Sequence, residues 1–529
     1  MSETAAAPQV ASAGKGKWFA LTAMMFAVAM TFIDQTIVAI AAPDIQRDLG
    51  FTATGIQWMV NAYLLALAIV FAFGGRLSDI FGHKRVLMIG IVTFAVASAG
   101  CSLTPDSSFA EAWMIFFRTV QGIGAALLFP AALAIVVGVF PLKERGKALA
   151  LFFGLSSAFT AIGPILGGWL VTIDWRAIFW INLPVAVIAI ILILMAGIND
   201  NPKHEPIDYR GAILIALGMG LSVLGLQQAG EWGWGDFKTW ACIVVGLIFL
   251  VLFVRSQRDL EHPLIKMQVF KDRAFFADNA VLFFAMIAFV PFFFFASMYA
   301  QVSLGYTASN AGLYLLTFFG GFVIAAQIGG RILDQKGAKL PLVVGPIVSA
   351  FGFFMLARQV PNLSFDSQWV WIMVAGAGMG FLLGPASTDA VNRAINASYG
   401  EVTGITQTVR NYSSALGMAI LGTVLLNVNH TKTIASLTGA GVPEAEAEQI
   451  SNMVSGSHTG GSSDFGNVPQ AVIEKITHLV QVDFAESIQV VFYLMAGAMV
   501  IAFLCSLLHP GTRVVEENGD PDEVEQSAS

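Results

Sequence analysis

The chain has 529 residues and a formal net charge of −7; 56% of its residues are hydrophobic, only 12% are charged, and the mean hydropathy is +0.72. A soluble domain carries charge on about a quarter of its residues. The composition therefore excludes a soluble globular protein and a disordered chain, and it predicts a surface that mostly faces lipid.

No sequence pattern points to a metal centre, a cofactor or a nucleotide-driven motor. Cys101, Cys242 and Cys505 are scattered without a C-x-x-C spacing, and H-E-x-x-H does not occur. The phosphate-binding pattern G-x-x-x-x-G-K-[ST] is also missing. We therefore predict neither a metal nor a cofactor, and we expect no nucleic-acid partner.

Fourteen apolar runs have the length, roughly 20 residues, that crosses about 30 Å of hydrocarbon. The predicted spans are 18–42, 57–75, 86–104, 112–140, 147–172, 177–197, 211–229, 239–256, 275–301, 310–330, 340–357, 369–392, 403–428 and 487–508. With a cytoplasmic N-terminus, the inside segments carry 20 Lys and Arg residues and the outside segments carry 6. This bias predicts a multi-pass protein with both termini in the cytoplasm.

Two similar segments divide the spans into halves. The pattern G-R-x-x-D-x-x-G occurs at 75–82, after the second span, and again at 330–337, after the tenth; Gly122 and Gly124 are echoed by Gly378 and Gly380. Parallel repeats of this kind flank a central site in many transporters. We predict an all-α membrane fold of two six-helix bundles with two helices inserted between them. The predicted units are an N-terminal tail (1–17), a first bundle (18–197), the insert with a cytoplasmic linker (198–274), a second bundle with a long extracytoplasmic loop at 429–486 (275–508), and an acidic tail (509–529).

Short motifs occur in a fixed order along nearly the whole chain. They are Asp34-Gln35-Thr36-Ile37-Val38, the segment 75–85, Arg118-x-x-Gln121-Gly122-x-Gly124, Gly163-Pro164-x-x-Gly167-Gly168, the segment 175–184 and Thr408-x-Arg410. Together they resemble the signatures of the major facilitator superfamily, specifically its fourteen-helix drug:proton antiporter family. Two positions depart from the family pattern, since Ala39 replaces the usual Asn and His83 stands where a stronger base is commoner. The resemblance implies a transporter that is driven by the proton gradient and works by alternating access.

Asp34 and Arg118 are the predicted proton-coupling pair. A carboxylate embedded in hydrocarbon is costly when charged and is by default a functional site, although a packing Asp bonded to a neighbouring Thr or amide is the alternative. Arg118 lies at a similar depth in the fourth span, where a guanidinium would make the proton on Asp34 releasable. The resemblance assigns Arg118 a role in proton transfer; a snorkelling arginine at the interface is the alternative.

Other polar residues within the spans are candidates for a substrate cavity, namely Thr31, Gln35, Asn61, Tyr63, Gln121, Gln407 and Arg410. Thr31, Asp34 and Gln35 share one helix face. Arg410 could bind an anionic substrate or pair with an acid, and both Asp278 and Asp389 remain open as partners. The run 292–295 of four Phe residues must point all round its helix, so part of it is expected to face lipid.

A third group of residues is predicted to control conformational change: Gly75, Arg76, Asp79, Gly82, Lys84, Arg85, Gly163, Pro164, Gly167, Gly168 and Asp334. We expect Asp79 to cap the third span and its basic neighbours to latch the cytoplasmic side; topology signalling alone is the alternative. Pro164 bends its helix and the adjacent glycines allow close approach. The resemblance identifies this motif with a tight interface between rocking spans, and ordinary packing is the alternative.

The combined prediction is a proton-driven exporter of amphipathic small molecules, cationic or neutral, that acts as a monomer in the lipid bilayer of a bacterial cytoplasmic membrane. An exporter of an endogenous lipid, siderophore, antibiotic or amino acid keeps the fold and changes the cargo. A non-transporting sensor that uses the loop 429–486 is a further alternative. We expect no enzyme, because the sequence shows neither a nucleophile–base pair nor a metal cluster.

Overall fold

A computed structural model describes residues 15–140, 142–198, 206–258, 260, 262–393, 399–439, 443 and 470–511. Most of these residues are helical. The helices are α1 (Lys15–Leu49), α2 (Ala53–Phe81), α3 (His83–Ser102), α4 (Ala110–Val139), α5 (Leu142–Val171), α6 (Ala177–Trp180), α7 (Asn182–Met195), α8 (Tyr209–Trp232), α9 (Phe237–Ser256), α10 (Arg273–Val302), α11 (Ala308–Lys336), α12 (Lys339–Gln359), α13 (Phe365–Asn392), α14 (Tyr399–Gly439) and α15 (Gln470–Ser506).

The helices confirm the predicted all-α membrane fold. Thirteen spans in the described part of the chain are long and apolar enough to cross a membrane, and α6 with α7 forms one of them, Ala177–Met195. Helix α5 supplies a further apolar stretch at Ala158–Val171, and with it the count reaches the predicted fourteen. Large apolar side chains such as Val96, Phe116 and Leu194 lie more than half exposed on the outside of the bundle, as expected of a surface that contacts lipid.

Several helices continue beyond the apolar runs that predicted them. Helix α2 ends at Phe81 instead of 75, α14 continues to Gly439, and α15 begins at Gln470. The long loop predicted at 429–486 is therefore shortened to the stretch between 439 and 470, of which only residue 443 is described. The predicted tails, 1–17 and 509–529, lie almost entirely outside the described residues.

The packing separates an N-terminal half, α1–α7, from a C-terminal half, α10–α15. Within the halves, α4 packs on α2 and α3, and α13 packs correspondingly on α11 and α12. Across the halves, α2 contacts α14, α5 contacts α11, and α1 contacts α10. The inserted α8 packs on α9, on α2 of the first half and on α14 of the second.

The repeated G-R-x-x-D-x-x-G pattern has the same conformation in both halves. Its last glycine follows the first helix of each pair: Gly82, with φ 98°, is the one residue between α2 and α3, whereas Gly337, with φ 81°, and Ala338 lie between α11 and α12. Residues other than glycine rarely adopt these backbone φ angles. The motif therefore ends one helix and starts the next within one or two residues.

The second repeat of glycines is shifted by two residues from its predicted pairing. Gly122 faces the backbone of α2 at Tyr63, and Gly124 faces α3 at Phe94. In the second half, Gly376 faces α11 and Gly378 faces α12. The pairing of Gly122 and Gly124 with Gly378 and Gly380 is therefore wrong, because the counterparts of the first two glycines are Gly376 and Gly378.

The four Phe residues at 292–295 are all buried, and the expectation that part of the run faces lipid is wrong. Helix α10 is surrounded by α1, α13, α14 and α15. Phe292 stacks on Phe318 with ring centroids 4.7 Å apart, and Phe293 stacks on Phe319 at 5.1 Å. These rings form the core of the C-terminal half.

Candidate functional site

Asp34, Arg118 and Gln121 form a closed hydrogen-bonded network between α1 and α4. Arg118 Nη1 donates to Asp34 Oδ2 at 2.6 Å and to Gln121 Oε1 at 2.7 Å, and Gln121 Nε2 donates to Asp34 Oδ1 at 2.9 Å. Asp34 and Gln121 are 0% exposed and Arg118 is 1% exposed. Both oxygens of Asp34 accept hydrogen bonds, so this arrangement holds the charged carboxylate.

Two contacts on α2 complete the surroundings of the guanidinium. Arg118 Nε donates to the carbonyl of Met59 at 3.0 Å, and the guanidinium carbon lies 4.5 Å from the ring centroid of Tyr63. The Tyr63 hydroxyl in turn donates to the carbonyl of Thr31 at 3.3 Å. The network thus connects α4 through α2 back to the face of α1 that carries Thr31.

A buried ion pair of this kind is stable only while it is complete. Removing the charge of one partner leaves the other uncompensated at a cost of about 3–5 kcal/mol. Protonation of Asp34 removes that charge without changing the sequence, and Arg118 must then find another acceptor. The network can therefore convert the arrival of a proton into a rearrangement of α1 against α4.

A small cavity lies beside this network, between the two halves. Its walls come from α1, α2 and α4 on one side and from α10 and α14 on the other: Thr31, Phe32, Gln35, Leu67, Phe71, Ala125, Phe129, Met286, Gln407, Arg410 and Asn411. Its volume is about 30 Å³, whereas sites for small-molecule ligands have volumes of roughly 300–1,000 Å³. A drug-sized substrate can therefore enter this cavity only when the halves separate.

Of the residues predicted for the cavity, Thr31, Gln35, Gln407 and Arg410 line it. Asp34 turns away to α4, although it lies next to Gln35. Gln121 belongs to the ion-pair network and Tyr63 packs against Arg118, so neither lines the cavity.

Asn61 lies on another face of α2 and is bonded through its amide to Gln227 of α8. We predicted Asn61 as a cavity residue, and no sequence signal indicated that the inserted α8 would supply its partner. Nothing in the sequence distinguishes Phe71, Phe129 and Met286, which line the cavity, from apolar residues that face lipid. Asn411 was not predicted, and its position directly after Arg410 is the sequence signal that could have indicated it.

Arg410 has no acidic partner among the described residues. Its Nε is buried without a hydrogen-bond acceptor, and its side chain borders the cavity. The two acids left open by the sequence lie elsewhere: Asp389 accepts from Arg393 Nε at 2.6 Å, and Asp278 lies 3.8 Å from His509. Arg410 is therefore the one charged residue that lines the described cavity.

The motif at 163–168 packs α5 against α1 around a hydrogen bond from a side chain of α1 to a backbone carbonyl of α5. Pro164 has no N–H, so the carbonyl of Thr160 loses its usual helical donor. The Thr36 hydroxyl donates to that carbonyl at 3.0 Å, and Gly163 leaves the room that the Thr36 side chain occupies. Thr36 belongs to the first-span motif, so the two motifs form one interface, which the sequence did not predict.

The next turn of α5 contacts the other half. A methyl group on Gly168 would lie 2.9 Å from Ala308 O and from Ser309 Cα, and Gly312 faces the carbonyl of Pro164. The glycines thus allow α5 and α11 to meet backbone to backbone. This contact lies at the end of the bundle where α5 ends and α11 begins, which the sequence predicts to be extracytoplasmic.

The residues predicted as a cytoplasmic latch lie on helices and not in a loop. Gly75, Arg76 and Asp79 are in the last two turns of α2, while Lys84 and Arg85 are in the first turn of α3. The N-cap residue of α3 is Gly82, which has no side chain, and a capping role of Asp79 from the last turn of α2 stays a prediction.

Asp334 occupies the equivalent place near the end of α11. At the first of these junctions, Ser78 Oγ and His83 Nδ1 are 2.6 Å apart and connect α2 to α3.

Comparison with known proteins gives a consistent family. The family profile described as "Major Facilitator Superfamily" matches residues 24–418. The chain is 27% identical over 507 residues to the tetracenomycin C resistance and export protein of Streptomyces glaucescens, with 94% of each chain covered. It is 30% identical over 416 residues to the multidrug transporter protein MdtP of Bacillus subtilis, covering 77% of this chain and 74% of the relative.

Among solved structures, a bacterial homologue of the human lysosomal transporter Spinster, in an inward-facing and unoccupied conformation, aligns with a TM-score of 0.59 and 16% identity. The alignment covers 94% of this chain and 98% of that one. At this identity the likeness concerns the fold alone.

Proposed function

Since the chain belongs to the major facilitator superfamily, we propose that it exports amphipathic small molecules in exchange for protons, by alternating access of the cavity between its two halves. As a member of this family it is a membrane transporter and not an enzyme. The observation that carries the proposal is the buried Asp34–Arg118–Gln121 network, because it places one ionisable carboxylate directly behind the cavity wall.

Helix α1 connects the proton to the substrate. Asp34 faces the network with α4, while its neighbours Thr31 and Gln35 face the cavity. Protonation of Asp34 would free Arg118 and allow α1 to shift, and that shift would move two residues of the cavity wall. Substrate bound against Thr31 and Gln35 would oppose the same movement, so proton and substrate favour opposite conformers.

The charge of the cavity restricts the substrate. Arg410 is the only charged residue in the described wall, and the remainder is aromatic, aliphatic, amide or hydroxyl. Such a wall suits neutral or anionic amphipathic compounds with hydrogen-bond acceptors. We therefore replace the sequence expectation of a cationic or neutral substrate by one of a neutral or anionic substrate.

The relatives support a drug or antibiotic as the substrate. Their names describe a resistance and export protein for tetracenomycin C and a multidrug transporter. An endogenous anionic lipid or siderophore also fits a cavity that contains Arg410, and a panel of substrates separates these cases. The proposed setting is the cytoplasmic membrane of a bacterium, with a monomer whose termini face the cytoplasm, as the Lys and Arg bias indicates.

The direct test measures proton movement and substrate flux in proteoliposomes for the wild type, Asp34→Asn and a matched control, Asp44→Asn. Asp44 lies on the same helix but pairs with Arg47 near the helix end. Coupled antiport that is lost in Asp34→Asn and kept in Asp44→Asn is the expected result. Coupling that survives in folded Asp34→Asn would refute the role of Asp34.

The charge of the substrate is tested with Arg410→Gln and, as a control, Arg358→Gln, which removes an exposed arginine at the end of α12. A charge-assisted hydrogen bond contributes about 1.5–3 kcal/mol, so an anionic substrate should bind roughly 10- to 100-fold more weakly to Arg410→Gln. A neutral analogue should lose less. Equal losses for anionic, neutral and cationic analogues would contradict a charge-reading role.

A further inference from the structure

A second cluster of ionisable side chains is buried in the C-terminal half, away from the cavity. Asp278 lies in the second turn of α10, Asp389 and Arg393 lie at the end of α13, and His509 follows α15. The exposed fractions of these four residues are between 0% and 5%. They lie at the end of the bundle where α2 joins α3, which the sequence predicts to be cytoplasmic.

Hydrogen bonds assign the proton on His509. Nδ1 of His509 accepts from the backbone N–H of Gly511 at 3.1 Å, so this nitrogen carries a lone pair and no hydrogen. Nε2 lies 3.1 Å from Asp389 Oδ2 and therefore donates to it. His509 is thus a neutral imidazole in this arrangement.

The remaining charges compensate Asp278 only in part, because the neighbouring cation Arg393 is paired with Asp389. Asp389 is neutralised by Arg393, whose Nε donates to the same carboxylate at 2.6 Å. Neither oxygen of Asp278 accepts a hydrogen bond from a described residue, and the residue is 0% exposed. A charged carboxylate in that position would be buried without a donor beside a second carboxylate, which is strongly unfavourable.

The other described groups around Asp278 do not change this balance. Asp272 caps α10 and accepts from the N–H groups of Ala274 and Phe275, so it adds negative charge and no donor. His509 Nε2 is 3.8 Å from Asp278 Oδ1, beyond hydrogen-bond distance, and its hydrogen is directed to Asp389. Lys339, the single lysine of α12, lies against Gly511.

We propose that Asp278 is a second proton-binding site of this transporter, in the C-terminal half, and that it holds its proton in the arrangement seen here. Asp34 and Asp278 are then opposite in state, since Asp34 is a carboxylate paired with Arg118 and Asp278 is a carboxylic acid. Movement of His509 toward Asp278, or entry of water from the adjacent end, would stabilise the carboxylate and release the proton there. The proposal extends the proton coupling proposed above, but its test needs no substrate and no contribution from Asp34.

The test is infrared difference spectroscopy of the full-length protein in lipid nanodiscs, since a protonated carboxyl group has its own C=O band. The wild type should show such a band, Asp278→Asn should lose it, and Asp34→Asn should keep it. The matched control is Asp272→Asn, which removes an acid from the same helix while an asparagine can still cap it. Raising the pH should release more protons per chain from the wild type than from Asp278→Asn.

Three outcomes would overturn the proposal. One is a band of equal size in wild type and Asp278→Asn. Another is equal release of protons per chain from the wild type and from Asp278→Asn when the pH is raised. If Asp278→Asn does not fold, Asp278→Glu serves instead, because it retains an acid at this position. A C=O band with the wild-type frequency in Asp278→Glu would show that the band comes from another residue. Loss of substrate transport in Asp34→Asn would leave each of these results unaffected.

Discussion

Gly168 sets the distance between the two halves at the end where α5 meets α11. Replacing it by alanine would place a methyl carbon 2.9 Å from Ala308 O and from Ser309 Cα, both of which are backbone atoms. Ordinary contacts of a methyl group are longer than 3.4 Å, so α5 and α11 must separate. The clash exists only in conformers in which these helices touch.

The expected size of the effect follows from the cost of overpacking, about 1–3 kcal/mol for an extra methylene in a packed site. Applied to one conformer, that cost changes the ratio of conformers by roughly 5- to 150-fold. Alanine also favours helix over glycine by about 1 kcal/mol, and this gain is common to all conformers. Gly320→Ala on α11 is the matched control, because its methyl group would meet only the flexible end of Met373 at 3.7 Å.

The assay is a distance measurement between spin labels at Ser107→Cys and Asp366→Cys, two exposed positions at the same end of opposite halves. Gly168→Ala should move the distribution toward longer distances, and Gly320→Ala should leave it unchanged. If both variants gave the wild-type distribution with intact helicity, the α5–α11 contact would not control the opening of this end, and the reasoning would fail.

Further predictions concern stability, measured as thermal unfolding of the purified protein in detergent. Thr36→Val removes the hydrogen bond to the carbonyl of Thr160 and should destabilise the protein by about 0.5–1.5 kcal/mol. The control Thr22→Val removes an exposed hydrogen bond within α1 and should have a smaller effect. Equal effects of the two variants would contradict the bridging role of Thr36. Gly337→Ala imposes a side chain at φ 81° and should cost about 1–3 kcal/mol. Gly330→Ala, with open space at its position, should be neutral or stabilising, and an equally stable Gly337→Ala would show that the junction tolerates a side chain.

The sequence predicted positions along the membrane normal better than positions around each helix axis. The depth of a residue in the membrane follows from counting residues from the ends of an apolar run, and this count correctly placed Asp34 and Arg118 at the same depth. Rotation depends on which neighbours a helix packs against, and no single sequence contains that information. For this reason Asn61 was assigned to the cavity although it faces α8, and Arg410 was given candidate partners that it does not contact.

Helix ends were a second source of error, for a different reason. Apolar runs end at the membrane surface, but hydrogen-bonded helices continue through polar residues until a residue breaks them. Arg76, Ser78 and Asp79 are all compatible with helix, so α2 continues to Phe81 and stops only at Gly82. The cluster of Asp278 and His509 was missed because its members lie more than two hundred residues apart and near span ends, where charged residues are common.

The inserted helices have a consequence for the evolution of this chain. Asn61 Nδ2 donates to Gln227 Oε1 in the interior, Trp58 Nε1 donates to Gln228 at 3.0 Å, and Thr423 donates to the carbonyl of Leu226 at 2.8 Å. A deletion of α8 and α9 would leave the Asn61 amide facing hydrocarbon, at about 2–7 kcal/mol for the unpaired group. The insertion is thus hard to reverse: a twelve-helix descendant would first need apolar replacements on α2 and α14, each of which is unfavourable while α8 is still present.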